Sequence, residues 1–267
     1  MSRGRTVTVA AGVLAAAASS LWSVSPSVAA PERARVFVVQ GLPGRLVDVG
    51  VDGRPVATGL AGASLSRAVE LEPGAHTVTF SSGGSEVLRR SVDLRAGSSS
   101  DLVLHLPVDP SGSPVLTVYD NTTKAVPRGK ASVTVAHTAA VPPADVRVNG
   151  KVLFANIANG EALNLVVPAD TYTVDIVPSG ADSPTVLGPL DLTVKEGSLN
   201  RVFAVGDPQS STMRAVVQVL PAGSTGSGAP DLVDTGTGGQ AAARTSPLLE
   251  PLLHPGAPAA PVTTPAP

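Results

Sequence analysis

The chain has 267 residues, of which 43% are hydrophobic, 15% are charged and 3% are aromatic, with 27 glycines, 25 prolines and no cysteine. The lack of cysteine excludes a disulfide-stapled mini-protein, and a formal net charge of −2 excludes a strongly basic nucleic-acid binder. This density of glycine and proline also excludes a helical bundle, and the length indicates one or two domains.

The first 29 residues have the three parts of a secretory signal peptide. A short basic region precedes an apolar stretch from Val7 to Leu21, and Ser27-Val28-Ala29 supplies small residues at the cleavage positions. We predict cleavage after Ala29. The alternative is an N-terminal membrane anchor, but the apolar stretch falls short of the roughly 20 strongly apolar residues that a span requires. The sequence therefore predicts a protein that is secreted or associated with the cell envelope, with no transmembrane segment in the mature chain.

Short runs of alternating apolar residues fill positions 33–221, and glycine, proline, asparagine and aspartate separate them. A period of two is typical of strands with one buried face, and no stretch shows a convincing helical period. The strands predicted in the first half lie near residues 34–40, 46–51, 54–58, 65–71, 75–80, 86–94 and 101–107, with an additional one near 115–119.

The second half of this region repeats the first at an offset of about 97 residues. Both halves contain a two-residue turn, Asp52-Gly53 or Asn149-Gly150, which favours a type I′ hairpin because both central positions need positive φ. The strands predicted in the second half lie near residues 131–136, 144–148, 151–155, 161–167, 171–178, 186–194 and 200–206, with an additional one near 213–219.

These patterns predict an all-β protein of two tandem immunoglobulin-like antiparallel β-sandwich domains, with a small barrel as the alternative. Domain 1 is predicted over residues 30–120 and domain 2 over residues 131–221, with a short polar linker at 121–130 between them. Each half is long enough to bury its own core, so we expect each half to fold alone. Residues 222–267 are rich first in glycine and serine and then in proline and alanine, which predicts a disordered C-terminal tail.

Three motifs in the second half occur in a fixed order. A strand ends in Val-Ala-His137, a proline-containing loop leads into Asp145-Val-Arg-Val-Asn-Gly, and Val-Pro-Ala-Asp-Thr-Tyr172-Thr-Val follows. Over residues 131–206 the chain thereby resembles the bacterial family named domain of unknown function 4397. The first half is similar but differs from these motifs at two positions. Gln40 and His76 stand where His137 and Tyr172 stand in the second half. The resemblance implies immunoglobulin-like exported modules and implies no activity, cofactor or catalytic residue.

The sequence assigns no catalytic, cofactor-binding or metal-binding residue. Its histidines are far apart and form no zinc-binding motif; they are His76, His105, His137 and His254. His137 with Asp145 is the one pair that could bind a ligand or act as a base. The favoured interpretation is structural, with His137 at a strand end hydrogen-bonded in the loop and Asp145 capping the same turn.

Carboxylates elsewhere give weaker signals. Glu70 and Glu72 share one strand face and are expected to point to solvent, so they do not specify the two carboxylates of a glycosidase. Asp109, Asp120 and Asn121 could join a calcium site in a loop, although no EF-hand pattern is present.

Two segments of the tail could carry an interaction. Residues 232–236 loosely resemble a cell-wall sorting signal that lacks its proline, and residues 247–255 repeat a Pro-Leu-Leu unit. The sequence favours a secreted or envelope-associated, non-enzymatic structural or interaction module, whose candidate partners are an envelope protein or a polysaccharide and not nucleic acid. The alternative is an extracellular protein that binds a carbohydrate or small ligand through the sandwich loops, and an exported hydrolase is least favoured.

Overall fold

The structure, a computed structural model, describes residues 32–121 and 124–222. The predicted signal peptide, both tail motifs and all but the first residue of the predicted tail lie outside these ranges. The described chain is all-β, as predicted, and the strands are numbered β1 to β17. Nothing in the two described ranges is a helix able to cross a membrane.

The first repeat contributes nine strands and the second contributes eight. Those of the first repeat are β1 (Ala34–Gln40), β2 (Val47–Val51), β3 (Arg54–Leu60), β4 (Ser64–Leu65), β5 (Val69–Leu71), β6 (Gly74–Ser82), β7 (Ser85–Leu94), β8 (Ser99–His105) and β9 (Val115–Asp120). Those of the second are β10 (Lys130–Ala139), β11 (Ala144–Val148), β12 (Lys151–Ile157), β13 (Ala162–Pro168), β14 (Thr171–Pro178), β15 (Leu187–Thr193), β16 (Ser198–Gly206) and β17 (Arg214–Pro221).

One predicted strand, at 65–71, is divided into β4 and β5. The cause is Ser66, whose hydroxyl oxygen accepts the N–H of Val38 at 2.9 Å, while its own N–H donates to the Val38 carbonyl. This side-chain bond takes the place of a ladder bond and interrupts the pairing with β1.

Each repeat is a sandwich of two sheets with the same strand arrangement. In the first repeat the sheets are β4-β1-β8-β9, with β5 also paired to β1, and β3-β2-β6-β7. In the second they are β13-β10-β16-β17 and β12-β11-β14-β15. The β1–β8 and β10–β16 pairings are parallel, whereas the neighbouring pairings are antiparallel. The predicted pair of β-sandwiches is therefore observed, but one sheet of each sandwich is mixed and not purely antiparallel as predicted.

The predicted hairpin turns have the backbone conformation that their sequences require. Asp52 and Gly53 have φ values of 50° and 77°, and Asn149 and Gly150 have the same two values. Both central positions of each turn are left-handed, as in a type I′ turn.

The two sandwiches pack against each other through the sheets that contain β1 and β10, which we call the inner sheets. Each sandwich has its own apolar core, and a third apolar cluster joins the inner sheets. All nine residues of β16 and six of the seven residues of β8 are buried, because these strands are covered on both faces. The two repeats thus form a stack of four sheets within one compact unit.

Candidate functional site

The most distinctive site is the interface between the two inner sheets. Its centre is apolar and combines residues of both repeats, namely Val39 and Val103 from the first with Ala136, Phe203, Val205 and Val216 from the second. Next to this apolar centre the interface is polar, and the polar side chains there are buried.

A buried ion pair joins the repeats in the polar part of the interface. The Nε atom of Arg201 lies 2.8 Å from Oδ2 of Asp101, and the two side chains are only 4% and 0% exposed. A second guanidinium nitrogen of Arg201 donates to the carbonyl of Asp120 at 2.9 Å. The guanidinium carbon lies 5.8 Å from the ring centroids of both Tyr119 and Phe203. Arg201 of the second repeat is therefore anchored mainly by groups of the first repeat, and its guanidinium contacts one aromatic ring from each repeat.

Burial dominates the electrostatics of this pair. It raises the pKa of Asp101, although a hydrogen bond from Asn121 at 2.9 Å and the charge of Arg201 act in the opposite direction. Burial likewise lowers the pKa of Arg201 against the opposing effect of Asp101. Removal from water thus works against the charged form of both residues, and the opposite charge of the partner works in its favour.

Direct hydrogen bonds close the other end of the interface. The hydroxyl of Tyr119 donates to the carbonyl of Gly160 at 2.9 Å, and the amide of Asn159 donates to the carbonyl of Leu106 at 3.1 Å. The same Asn159 nitrogen donates to the carbonyl of Ala139 in its own repeat at 2.6 Å. These bonds tie the β12–β13 loop of the second repeat to the first repeat.

The predicted pair of His137 and Asp145 is not brought together. His137 forms its hydrogen bond in the loop, from Nε2 to the Pro142 carbonyl at 3.2 Å, as the structural interpretation expects. Asp145 does not cap that turn, so this detail of the prediction is wrong. Its two carboxylate oxygens instead accept the N–H groups of Asn156 at 2.7 Å and Gly180 at 3.0 Å, which lowers its pKa.

The role of Asp145 is repeated by Asp48 in the first half. Asp48 accepts the N–H of Gly59 at 2.7 Å, and Gly59 and Asn156 have φ values of 64° and 57° at irregular points of the hairpin pairing. A carboxylate at this position therefore holds a left-handed residue of the next strand in place. The first aspartate of the repeated motif serves the backbone, which explains its presence without any catalytic role.

Other candidate residues are also used in local structure or lie apart. Glu72 and Glu70 are exposed, as expected, and pair with Arg33 at 2.5 Å and Arg35 at 3.5 Å. The proposed loop site for calcium is not assembled, because Asp109 bonds Ser111, Asp120 pairs with Arg95 and Asn121 turns inward to Asp101. Within the described ranges, no three His, Cys, Asp or Glu side chains are grouped to hold a metal ion.

A cleft opens at the seam between the repeats, at the loop end of the inner sheets. It has a volume of about 190 Å³ and is lined by glycines of both repeats together with Pro43, Val205 and Arg214. Two of the glycines are sterically required, since a Cβ on Gly41 would lie 2.8 Å from the Leu104 carbonyl and one on Gly206 would lie 2.3 Å from the Thr212 carbonyl. A side chain at either position would therefore collide with neighbouring backbone, and both glycines are buried.

Sequence reasoning did not identify Asp101, Arg201 or Tyr119. The available signal was a charged residue directly before an apolar run, as in Asp101-Leu-Val-Leu and Arg201-Val-Phe-Ala. A continuous apolar run indicates a strand buried on both faces, where a charge needs a partner. Local sequence did not indicate which partner each charge has.

Part of the amino-acid sequence also matches a known family of protein domains. Residues 34–144 match the family model described as domain of unknown function (DUF4397). The predicted resemblance to the DUF4397 family is thereby confirmed. The match covers the first repeat, the linker and β10, whereas the sequence analysis placed the clearest resemblance at 131–206. Within the matched residues, Asp48 and Asp52 accept backbone N–H groups around the first hairpin, although Gln40 and His76 differ from the second half. No curated protein matches the chain.

Proposed function

We propose that the protein is a secreted or cell-envelope-associated, non-enzymatic module with a structural or interaction role. The observation that supports this role is the four-sheet stack. A buried ion pair joins the two repeats, and the histidine and aspartate residues that could do chemistry hold turns and strand ends instead. Such an arrangement favours a rigid block that displays its outer sheets and loops.

Export is tested by producing the full chain with a C-terminal tag in a bacterium and separating cytoplasm, envelope and medium. We expect the protein in the envelope or the medium, with an N-terminus at Ala30 by mass spectrometry. The matched control is Ala29→Gln, which places a large side chain at the cleavage position and is expected to retain the leader. A wild-type protein that stays in the cytoplasm with Met1 or the full leader would contradict the proposal.

The interaction role is tested on the exported protein. We expect it to co-sediment with isolated cell-wall polysaccharide or to cross-link to an envelope protein on intact cells. The same preparation is assayed for hydrolysis of wall polysaccharide and of ester substrates, and turnover above that of an empty preparation would overturn the non-enzymatic proposal.

The seam cleft supports a second candidate, the binding of a small ligand at the loops. Arg214 offers an exposed cation in the wall of this cleft, which suits a sugar or a small carboxylate. Soluble sugars and sugar acids should raise the melting temperature of the wild-type protein and not that of Arg214→Ala, because a ligand of the native state stabilises it. The same shift in both proteins, or no shift, would argue against this candidate.

A further inference from the structure

Asp101 and Arg201 occupy equivalent positions in the two repeats. In the β1–β8 pairing Asp101 lies opposite Phe37, and in the β10–β16 pairing Arg201 lies opposite Thr134. Phe37 and Thr134 are separated by the repeat offset of about 97 residues. The two charged residues are therefore the same site of the repeat, with opposite charge.

The apolar part of the interface is also built from equivalent positions of the two repeats. Val39 and Ala136 are equivalent in β1 and β10, and Val103 and Phe203 are equivalent in β8 and β16, and all four belong to the shared cluster. The repeats thus meet through the same face, as two copies of a subunit do across a two-fold axis. In such a contact, residues near the axis face their own equivalents.

In this geometry, the charge at the position of Asp101 and Arg201 decides which two inner sheets can pack together. Two first repeats in this arrangement would bring two copies of Asp101 together out of water, and two second repeats would bring two copies of Arg201 together. Like charges at contact distance in a buried site repel strongly, and neither could be solvated. Only a first repeat with a second repeat places opposite charges at that position, as observed at 2.8 Å.

Stability alone does not account for the pair, because both side chains are almost completely buried and taking two charges out of water is costly. A pair of hydrophobic side chains would fill the site without that cost. A buried charge pair that is costly for stability is useful where it rejects wrong partners.

We propose that Asp101 and Arg201 determine which partner an inner sheet accepts. The inner sheet of a first repeat binds the inner sheet of a second repeat and rejects another first repeat, whether the partner belongs to the same chain or to a second copy. This inference goes beyond the proposed function and does not depend on it, because it concerns the faces that build the molecule.

The first test is a reversal cycle in the full chain, read as melting temperature. Asp101→Arg and Arg201→Asp each place like charges in the interface and should each lower the melting temperature by about 10 °C. The double reversal restores opposite charges and should recover most of that loss. Reversal of the exposed pair Arg33–Glu72 is the control and should change the melting temperature little. A double reversal with no recovery would overturn the proposal.

Neutral variants guard against a result caused by misfolding. Asp101→Asn with Arg201→Gln keeps the side-chain sizes and removes both charges, so the protein should fold but pair less selectively. Refolded at high concentration, this variant should form dimers or larger species by light scattering, whereas the wild-type protein should remain monomeric. A neutral variant as monomeric as the wild type would show that the charges do not select the partner.

The second test asks for selection between chains. Asp101→Arg and Arg201→Asp are denatured, mixed and refolded together, so that exchange of repeats can restore both ion pairs at once. We expect a one-to-one heterodimer by native mass spectrometry that is absent when either variant is refolded alone. A mixture with the same masses as the separate samples would contradict acceptance of a partner from a second copy.

Discussion

His76 and Tyr172 stand at equivalent positions and make the same backbone contact with different chemistry. The Tyr172 hydroxyl donates to the Pro168 carbonyl at 2.9 Å, and Nε2 of His76 lies 2.7 Å from the Glu72 carbonyl, in each case four residues upstream. His76 differs in that its Nδ1 also bonds Asp52 at 2.7 Å. The change from tyrosine to histidine thus adds an ion pair to the first repeat.

This ion pair predicts a stability contribution that disappears at high pH. The hydrogen bond from His76 to Asp52 and the contact of His76 with the Glu72 carbonyl raise the pKa of His76 above 6.5. The contribution is full below the unfolded-state pKa and is lost as pH rises through the folded-state pKa. In chemical denaturation from pH 5 to 9, His76→Tyr should lack this decline in the free energy of unfolding. Equal slopes for variant and wild type would contradict the role of His76.

For His105 we predict the opposite pH dependence of the free energy of unfolding. It is fully buried, with Nδ1 at 2.8 Å from the Leu106 carbonyl and Nε2 at 2.8 Å from the Thr117 hydroxyl, and burial lowers its pKa. Its stabilising effect is full above pH 6.5 and is lost as pH falls, because the unfolded chain takes up a proton that the folded chain excludes. His105→Gln should flatten the acid side of the pH–stability curve. If the acid side of the curve is unchanged in the variant, other groups cause the loss of stability at low pH. His137 is one such group, because it is also buried and its pKa is also lowered.

At the scale of single strands, the alternation of apolar residues predicted strand bounds well in the outer sheets, which are the two sheets that contain β2 and β11. It predicted strand bounds less well in the inner sheets. The strand predicted at 171–178 is observed with the same bounds as β14, whereas the one predicted at 101–107 is observed two residues earlier as β8. An outer strand has one buried face, so its pattern has a clear period. An inner strand is buried on both faces, and a continuous apolar run does not mark where pairing begins.

The irregular hairpin of the second repeat depends on Asp145. Asp145→Ala leaves the N–H groups of Asn156 and Gly180 without their carboxylate acceptor, and we expect a loss of about 2 kcal/mol in the free energy of unfolding. The measurement is denaturant unfolding at neutral pH. The control is Asp191→Ala, which removes an exposed acceptor of the Thr173 hydroxyl and should cost less than about 0.5 kcal/mol. Equal losses for the two variants would contradict a special role for Asp145.

At the scale of the whole molecule, the shared cluster affects how the repeats separate. The sequence predicts that each half folds alone, and that prediction is open to a direct experiment. Arg128 is exposed in the linker, so trypsin should cleave there. Because an apolar cluster and a buried ion pair join the inner sheets, we expect the two fragments to stay associated and to elute together in gel filtration.

The comparison for this prediction is the same digest in a moderate concentration of urea. The fragments should separate there, since urea weakens burial of the shared apolar face. Fragments that separate already in buffer would show that the repeats are independent bodies, as the sequence analysis expects, and that the interface contributes little to holding them together.

The sequence by itself determined the all-β class, the repeat and most strand positions. These follow from local chemistry, since a period of two reports one covered face and Asp52-Gly53 or Asn149-Gly150 can adopt the φ values of a tight turn. The tertiary structure alone decided that the inner sheets cover each other and that Asp101 faces Arg201. The two residues are a whole repeat apart, and local patterning shows that a face is buried without showing which other surface buries it.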